Sequence, residues 1–259
     1  MQKRYYYLVH IQYLGFRFHG WAKQPKFKTL HQMIDKTMFF MFGEGTTKTI
    51  GCSRTDSKVS ANHFVFELFI DKPITNFDEF IEDFNSNSPS DIKGFKIEET
   101  NAEFNIIQAS KQKEYVYLFA FGQKAHPFAA SLVTTLPEKL DLELMKKGAL
   151  LFEGEHSFVR YCTKPSPNTN FIRTIDFCQI ETNTIYSANF FPKETFLLRI
   201  KSKGFLRYQV RLIMGQLFRL GKNEITLNDI IESLKGDCTD YFNEIAPQSS
   251  LILESIEFE

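Results

Sequence analysis

The hydrophobic period of this chain switches between two and about 3.6 residues along its length, yet never settles into the strand-helix-strand-helix order of a parallel sheet. That irregular order restricts the fold more than any other feature. Residues 4 to 13, rich in Tyr, Val and Ile, read as a strand, and so do 63 to 70, 93 to 98 and 114 to 121, the last alternating Tyr115, Tyr117, Phe119 and Phe121 on one side. Leu30, Met33, Ile34, Met38 and Met41 follow at helical spacing behind a capping-box pattern, Thr29-x-x-Gln32, and stop at Gly43. Asn76-x-x-Glu79 opens a second helix through Phe77, Phe80, Ile81 and Phe84. After Pro127 the texture repeats, with a helix over 142–152, strands around 174–181 and 195–201, a helix over 205–220, another after Thr226, and a closing strand over 251–258. The expected fold is α+β on antiparallel sheets, in two similar halves, 1–122 and 123–259.

Composition narrows the function classes. Of 259 residues, 43% are hydrophobic and 24% charged, which excludes a disordered or fibrous chain. The 28 phenylalanines, spread along the whole length, read as core filling rather than as stacking platforms for bases. No apolar run approaches the roughly 20 residues that span a bilayer, and the opening Met1-Gln-Lys-Arg-Tyr-Tyr-Tyr lacks the apolar centre of a signal peptide. A cytoplasmic protein with no membrane partner is expected. Cys52, Cys162, Cys178 and Cys238 show no Cys-x-x-Cys spacing, so reduced, mostly buried thiols are expected rather than a zinc site or disulfides. There is no Gly-rich phosphate loop, no metal-ligand spacing and no Gly-x-Ser-x-Gly nucleophile, so neither cofactor nor metal is expected.

The formal net charge is zero, but the charges are unevenly placed. Arg199, Lys201, Lys203, Arg207, Arg211, Arg219 and Lys222 follow one another with no acid among them, whereas the chain from Glu224 onward is acidic apart from Lys235. Two readings fit such a segment: a phosphate-binding face, or a solvated helix face balanced by an acidic neighbour.

One polar loop could carry chemistry. In Ser53-Arg54-Thr55-Asp56, with Gly51 just before it, a carboxylate follows an arginine at a turn. Alone, that pattern fits a turn-capping or ion-paired Asp as well as a catalytic one. Its company is more specific. Tyr13-Leu14-Gly15 followed by His19-Gly20-Trp21-Ala22-Lys23-Gln24 resembles the Tyr-Asp-Gly and Gly-Trp-Gln-x-Gln that open members of the tRNA pseudouridine synthase A family, and Gly51 to Ala61 resembles that family's Gly-Arg-Thr-Asp-x-Gly-Val-His-Ala. Further resemblances follow in order: Asn85 to Ile92, Lys113-Glu114-Tyr115-Val116-Tyr117, Gly154-x-His156-x-Phe158, Arg173-Thr174-Ile175, Phe205 to Gly215, and Ala246-Pro247-x-x-Ser250-Leu251-x-Leu253. They span essentially the whole chain. Departures also occur: Leu14 replaces the Asp of Tyr-Asp-Gly, Ser53 the Gly before Arg54, Lys58 and Ser60 the Gly and His after the catalytic Asp, and Glu114 the Arg before the active-site Tyr, while Ile106 and Ile107 stand where an upstream Arg is expected.

The resemblance implies an enzyme that turns uridine into pseudouridine in tRNA, in the anticodon arm at positions 38 to 40, with the two halves joined around a central basic cleft and helices on the outer faces. It implies Asp56 as the essential carboxylate, acting as a nucleophile or as a base toward the ribose. Arg211 would pair with that carboxylate and keep it ionised, Tyr115 would stack on the target base, Arg54 would help displace and hold the flipped nucleotide, and Leu251 would form the apolar wall. Lys201, Lys203, Arg207, Arg219 and Lys222 are the expected phosphate contacts, with Arg207 and Arg211 sharing one helix face. The partners implied are tRNA and a second copy of the chain in a homodimer. Two other readings stand beside this one: a non-catalytic RNA-binding relative of the same fold, and an unrelated α+β enzyme for a small acidic metabolite.

Overall fold

The computed structural model describes residues 4–236 and 240–258, so Cys238 lies outside the described residues. Strands and helices mix, mostly with antiparallel pairing. In chain order the elements are β1 (Tyr5–Tyr13), α1 (Leu30–Phe42), β2 (Thr47–Gly51), β3 (Ser60–Ile70), α2 (Phe77–Asn87), β4 (Ile92–Thr100) and β5 (Ser110–Phe121). There follow β6 (Thr134–Leu136), α3 (Leu142–Leu150), β7 (Gly154–Ser157), β8 (Ile172–Ile175), β9 (Phe177–Thr182), β10 (Phe196–Ser202), α4 (Gln209–Gly221), α5 (Leu227–Ser233) and β11 (Leu251–Phe258). The chain divides into two compact units, Met1–Lys111 with Leu253–Glu259, and Gln112–Ile252.

In the first unit the strands lie in the order β4-β1-β3-β11, with β2 also paired to β3. β1 runs antiparallel to β3, Tyr5 opposite Ile70 and Ile11 opposite Phe64, and the register slips before Tyr13 meets Ala61. Against β4 the register slips between His10 and Ile11. Bulges on both edges bend the end of β1, which is where the loop over residues 14–29 departs. Helix α1 buries Leu30, Ile34 and Met38, and ends at Gly43, whose φ of 87° only glycine adopts without strain.

The capping box expected at Thr29 does not form. Its side chain makes no cap bond, and its hydroxyl is buried with no hydrogen bond among the described residues. The loop before the helix does the capping instead: the N–H groups of Leu30 and His31 donate to the carbonyl oxygens of Gly20 at 3.0 Å and Trp21 at 3.1 Å. In α2 the expected cap is present, Asn76 accepting from the Glu79 N–H at 3.2 Å. Phe80 and Phe84 face inward from it, Phe84 against Phe66 with ring centroids 6.2 Å apart. Strand β2 carries no alternating apolar signal in Thr47-Lys-Thr-Ile-Gly51, so periodicity alone does not reveal it.

In the second unit β10 lies between β5 and β9, antiparallel to both, and β6 joins β5 in parallel. The single strand expected over 174–181 is broken at Asp176. β8 pairs with β7, β9 pairs with β10, and the Asp176 N–H donates to Lys201 between them. Helix α4 is buried on almost every face, Arg219 being its least buried residue. It also starts later than expected. Tyr208 takes a left-handed φ of 64°, and the Leu206 N–H donates to the Gln209 side chain at 2.7 Å. Arg207 therefore sits in the turn before the helix and not on a helix face with Arg211.

Phe64, Phe66, Phe84, Phe119, Phe152 and Phe158 are wholly buried core residues, while Phe16, Phe27, Phe40 and Phe128 are exposed. Cys52, Cys162 and Cys178 are buried. Among the described residues no helix is long and apolar enough to cross a membrane.

Candidate active site

Asp56 sits in the loop between β2 and β3, and that loop is clasped by the one over residues 14–29 through main-chain bonds. The Trp21 N–H donates to Thr55 at 3.1 Å, and the Lys58 N–H donates to Phe18 at 3.0 Å. Within the loop the Val59 N–H returns to Asp56 at 3.2 Å. Side chains reinforce the clasp: the Tyr13 and Thr55 hydroxyls bond at 2.9 Å in a buried position, and Ser60 Oγ accepts from the Gly15 N–H at 2.9 Å. Backbones this close leave no room for side chains. A Cβ on Gly15 would lie 1.9 Å from the Val59 carbonyl oxygen, and one on Gly20, whose φ is 84°, 2.7 Å from that of Thr55. Asp56 is half-buried on this frame, beside buried Thr55 and exposed Arg54.

The departures noted in the sequence sit on this backbone. Lys58 stands where the resembling segment has Gly, and its φ is 63°, a left-handed conformation that glycine adopts freely and lysine only with strain. Ser60 stands where that segment has His, and supplies the acceptor for Gly15.

Behind the loop lies Trp21, 3% exposed, stacked on His31 and tilted against Phe64 at 4.2 Å between centroids. A Cβ on Gly51 would fall 2.4 Å from the Trp21 ring. The indole thus packs flat against the strand that leads to Asp56.

The other expected site residues lie in the second unit. Tyr115, 7% exposed on β5, meets the Phe205 ring edge-on at 5.4 Å. Arg211 is also 7% exposed, donating from Nε to the Ala246 carbonyl oxygen at 2.8 Å and from a terminal nitrogen to Gln248 Oε1 at 3.2 Å. Its guanidinium lies 4.8 Å from the Tyr208 ring centroid, and that of Arg207 lies 5.3 Å from the same ring. Beneath the Ala246–Gln248 segment the buried Tyr117 hydroxyl bonds Thr134 and the Pro247 carbonyl oxygen, both at 2.8 Å. Burial pushes the pKa of that phenol up, so it remains a donor. The Leu251 N–H closes the turn onto Gln248 at 3.2 Å.

The fold therefore gathers Arg211, Gln248 and buried Leu251 about one turn. Sequence reasoning passed over Tyr117, Tyr208 and Gln248. The first two lie inside motifs already quoted, and Gln248 fills an unspecified position of Ala246-Pro247-x-x-Ser250.

The cations expected to grip phosphates differ in their surroundings. Lys201 pairs with Glu114 at 3.1 Å, and Arg199 binds the other oxygen of the same carboxylate. Arg219 pairs with Glu224 at 3.3 Å and Glu244 at 3.1 Å, and Lys222 lies 3.8 Å from Glu138. Lys203 and Arg207 are exposed and make no ion pair among the described residues. No group of three His, Cys, Asp or Glu residues suited to a metal ion occurs among the described residues.

Comparison with known proteins gives a consistent picture. Residues 149–259 match the family model described as tRNA pseudouridine synthase. Over 248 residues the chain is 30% identical to tRNA pseudouridine synthase A of Thermodesulfovibrio yellowstonii, covering 95% of this chain and 96% of that protein. It is 30% identical over 253 residues to the enzyme of that name from Dictyoglomus thermophilum, covering 96% and 98%. A Clostridium botulinum protein of the same name is 28% identical over 246 residues, covering 95% and 96%.

Proposed function

This chain belongs to the tRNA pseudouridine synthase A family, which makes it a tRNA pseudouridine synthase and so an isomerase, and from that premise we propose Asp56 as its essential carboxylate, with Tyr115 and Arg211 as its partners in the reaction. The observation that carries the proposal is the clasp around Asp56: four backbone and side-chain bonds tie residues 13–21 to its loop and the start of β3. A loop that only capped a turn would not need two glycines without room for a Cβ.

The reaction conserves atoms. The bond from N1 to C1′ of the ribose breaks, the uracil turns, C5 bonds to C1′, the proton on C5 leaves and N1 gains one. Asp56 serves either as the nucleophile at C1′ or as the base that takes a ribose proton, and both roles need the carboxylate ionised. Arg211 is the guanidinium that favours the ionised form. Its burial and its bonds to Ala246 and Gln248 support a positioning part over a phosphate contact. Tyr115 stacks on the base, its hydroxyl toward the C5 proton, and Leu251 supplies the apolar wall. Arg54, exposed beside Asp56, holds the nucleotide once it has left its stack, a step that requires a few kcal/mol. Lys203 and Arg207 are the cations best placed for phosphates. Lys201, Arg219 and Lys222 exchange an intramolecular carboxylate for a phosphate if they take part.

The substrate site is a uridine of the tRNA anticodon arm, modified in the cytoplasm by a homodimer. The test maps pseudouridine by carbodiimide in tRNA from cells lacking the protein and from cells carrying only Asp56→Ala. The expected result is loss of the same anticodon-arm signals in both. An unchanged map in the Asp56→Ala cells removes Asp56 from the chemistry, and loss confined to another arm corrects the target.

A further inference from the structure

We propose that the clasping loop is itself an RNA-binding edge, with Lys26, Lys28 and Lys58 contacting phosphates and Phe16, His19 and Phe27 offering faces to unpaired bases. This deepens the function above and rests on it. The first acidic residue of the chain is Asp35, so the loop over 14–29 is charged only by Arg17, Lys23, Lys26 and Lys28. Two of these are neutralised, Arg17 by Asp91 at 2.7 Å and Lys23 by Asp35. Lys26, Lys28 and, across the clasp, Lys58 are exposed and make no ion pair among the described residues.

Aromatic rings are interleaved with them. Phe16 is 39% and Phe27 47% exposed. The Lys58 ammonium lies 5.4 Å from the Phe16 ring centroid, Lys28 lies 4.9 Å from that of Phe18, and the rings of His19 and Phe27 are 4.6 Å apart. Scattered exposed phenylalanines need no explanation. Exposed rings alternating with unpaired cations are the pattern that binds single-stranded nucleic acid, because every base has a face to stack and every nucleotide a phosphate.

The backbone gives an independent reason. Lys26 has φ 67° and Lys58 φ 63°, positions where glycine is the unstrained choice. At residue 58 the resembling family segment has that glycine. A lysine held in left-handed backbone, exposed and without an acid partner, does nothing for the fold that glycine would not do better. Such outliers gather where a side chain serves a function. Lys26 lies in the clasping loop, and on the other side the Lys58 N–H is one of the clasp's bonds, two positions from Asp56. An RNA strand presenting its uridine to Asp56 meets this edge on the flanking nucleotides.

Glycine makes the test clean, since Lys26→Gly with Lys58→Gly removes both charges and relieves both backbones. Two measurements are needed: release of label from tRNA tritiated at uridine C5, giving kcat and KM, and equilibrium binding of an unmodified tRNA transcript across a salt series. The double variant should raise KM and Kd by about tenfold at moderate salt and flatten the salt slope by roughly 0.7 to 0.9 for each lysine removed. Its kcat should stay within about twofold, as for a loss of uniform binding, and its Tm should not fall. Phe16→Ala should weaken binding by roughly tenfold while leaving the salt slope unchanged. Binding and slope equal to wild type in the double variant overturn the proposal, and so does a fall in kcat with binding intact, which would assign Lys58 to the chemistry at Asp56. A wild-type protein that releases no label sinks the functional reading, and the binding series still decides the edge.

Discussion

Arg211 and Tyr117 hold consecutive residues of one segment, Arg211 Nε donating to the Ala246 carbonyl oxygen and the Tyr117 hydroxyl to that of Pro247, each at 2.8 Å. One donor comes from α4 and the other from β5, so the segment is fixed from two elements before it turns at Gln248 toward Leu251. Close approach makes this possible. A Cβ on Gly215 would stand 2.1 Å from the Glu244 carbonyl oxygen, so only glycine lets the helix and the segment come together.

Arg211→Lys keeps the charge and loses the planar fork that reaches both Ala246 and Gln248. Tyr117→Phe removes the hydroxyl and leaves the Pro247 oxygen unmet. Each should destabilise by about 1–3 kcal/mol in urea unfolding. Because both act on one segment, the double variant should show a coupling of roughly 0.5 kcal/mol or more. Strict additivity would mean that the segment is not held as a unit. Turnover should fall in Arg211→Lys even at temperatures where the variant is fully folded.

Ser60→Ala tests the clasp on the Asp56 side. The Gly15 N–H is buried against Ser60 Oγ, and the substitution takes that acceptor away. A loss of about 1–3 kcal/mol is expected for such an orphaned group, together with lower kcat as the loop loosens. Stability equal to wild type would show that Gly15 finds another acceptor.

What could be read from the sequence differs between the pieces of this site. Helix α2 was legible because its cap, Asn76 bonding Glu79, lies within the same few residues as its apolar face. The extent of α1 was legible for the same reason, but its cap was not. The carbonyls of Gly20 and Trp21 do that work, and only a loop folded back on the helix start brings them there. Asp56, Tyr115 and Arg211 stood out through ordered motifs, whereas the clasp is made mostly by main-chain atoms, which carry no residue signature. The basic run from Arg199 to Lys222 shows a different limit. A local charge count cannot see that Glu114, Glu138 and Glu244, distant in sequence, lie against Lys201, Lys222 and Arg219.

Acid should weaken the first unit through two histidines on its sheet. His10 on β1 bonds His63 on β3 at 2.8 Å and Glu98 on β4 at 2.9 Å, and Lys96 on β4 pairs with Glu98 at 2.6 Å. Burial, then the neighbouring His10 and Lys96, pushes the His63 pKa down to about 4, and burial lowers that of His10 despite the opposing Glu98. Both histidines resist protons that the unfolded chain accepts near pH 6.5, so stability declines as pH falls from about 6.5 toward 4. Burial acts to raise the Glu98 pKa, but its bonds to Lys96 and His10 outweigh this and hold it below the usual carboxylate value. The stabilisation from Glu98 is therefore kept until pH falls through that lowered value, where it too is lost. Thermal unfolding followed from pH 7.5 to 4 should show a falling Tm, and His63→Asn should flatten the fall. An unchanged profile in that variant would place the acid sensitivity elsewhere.

Gly51→Ala probes whether the packing behind Asp56 matters to catalysis as well as to the fold. The added methyl would enter the Trp21 ring at 2.4 Å, and Trp21 cannot retreat easily because His31 stacks on it and Phe64 lies 4.2 Å away. Either the indole shifts or the end of β2 moves, and both disturb the loop: the Trp21 N–H is bonded to Thr55, and Gly51 leads directly into residues 52–56. Overpacking of this kind destabilises by about 1–3 kcal/mol. Turnover should fall further than the folded fraction accounts for, since a displacement of about 1 Å of a reacting group can lower a rate a hundredfold. The companion Trp21→Phe with Gly51→Ala, which makes room for the methyl, should recover part of both losses. If it recovers stability without turnover, the indole itself is required for placing Asp56. If it recovers neither, the steric account of Gly51 is wrong.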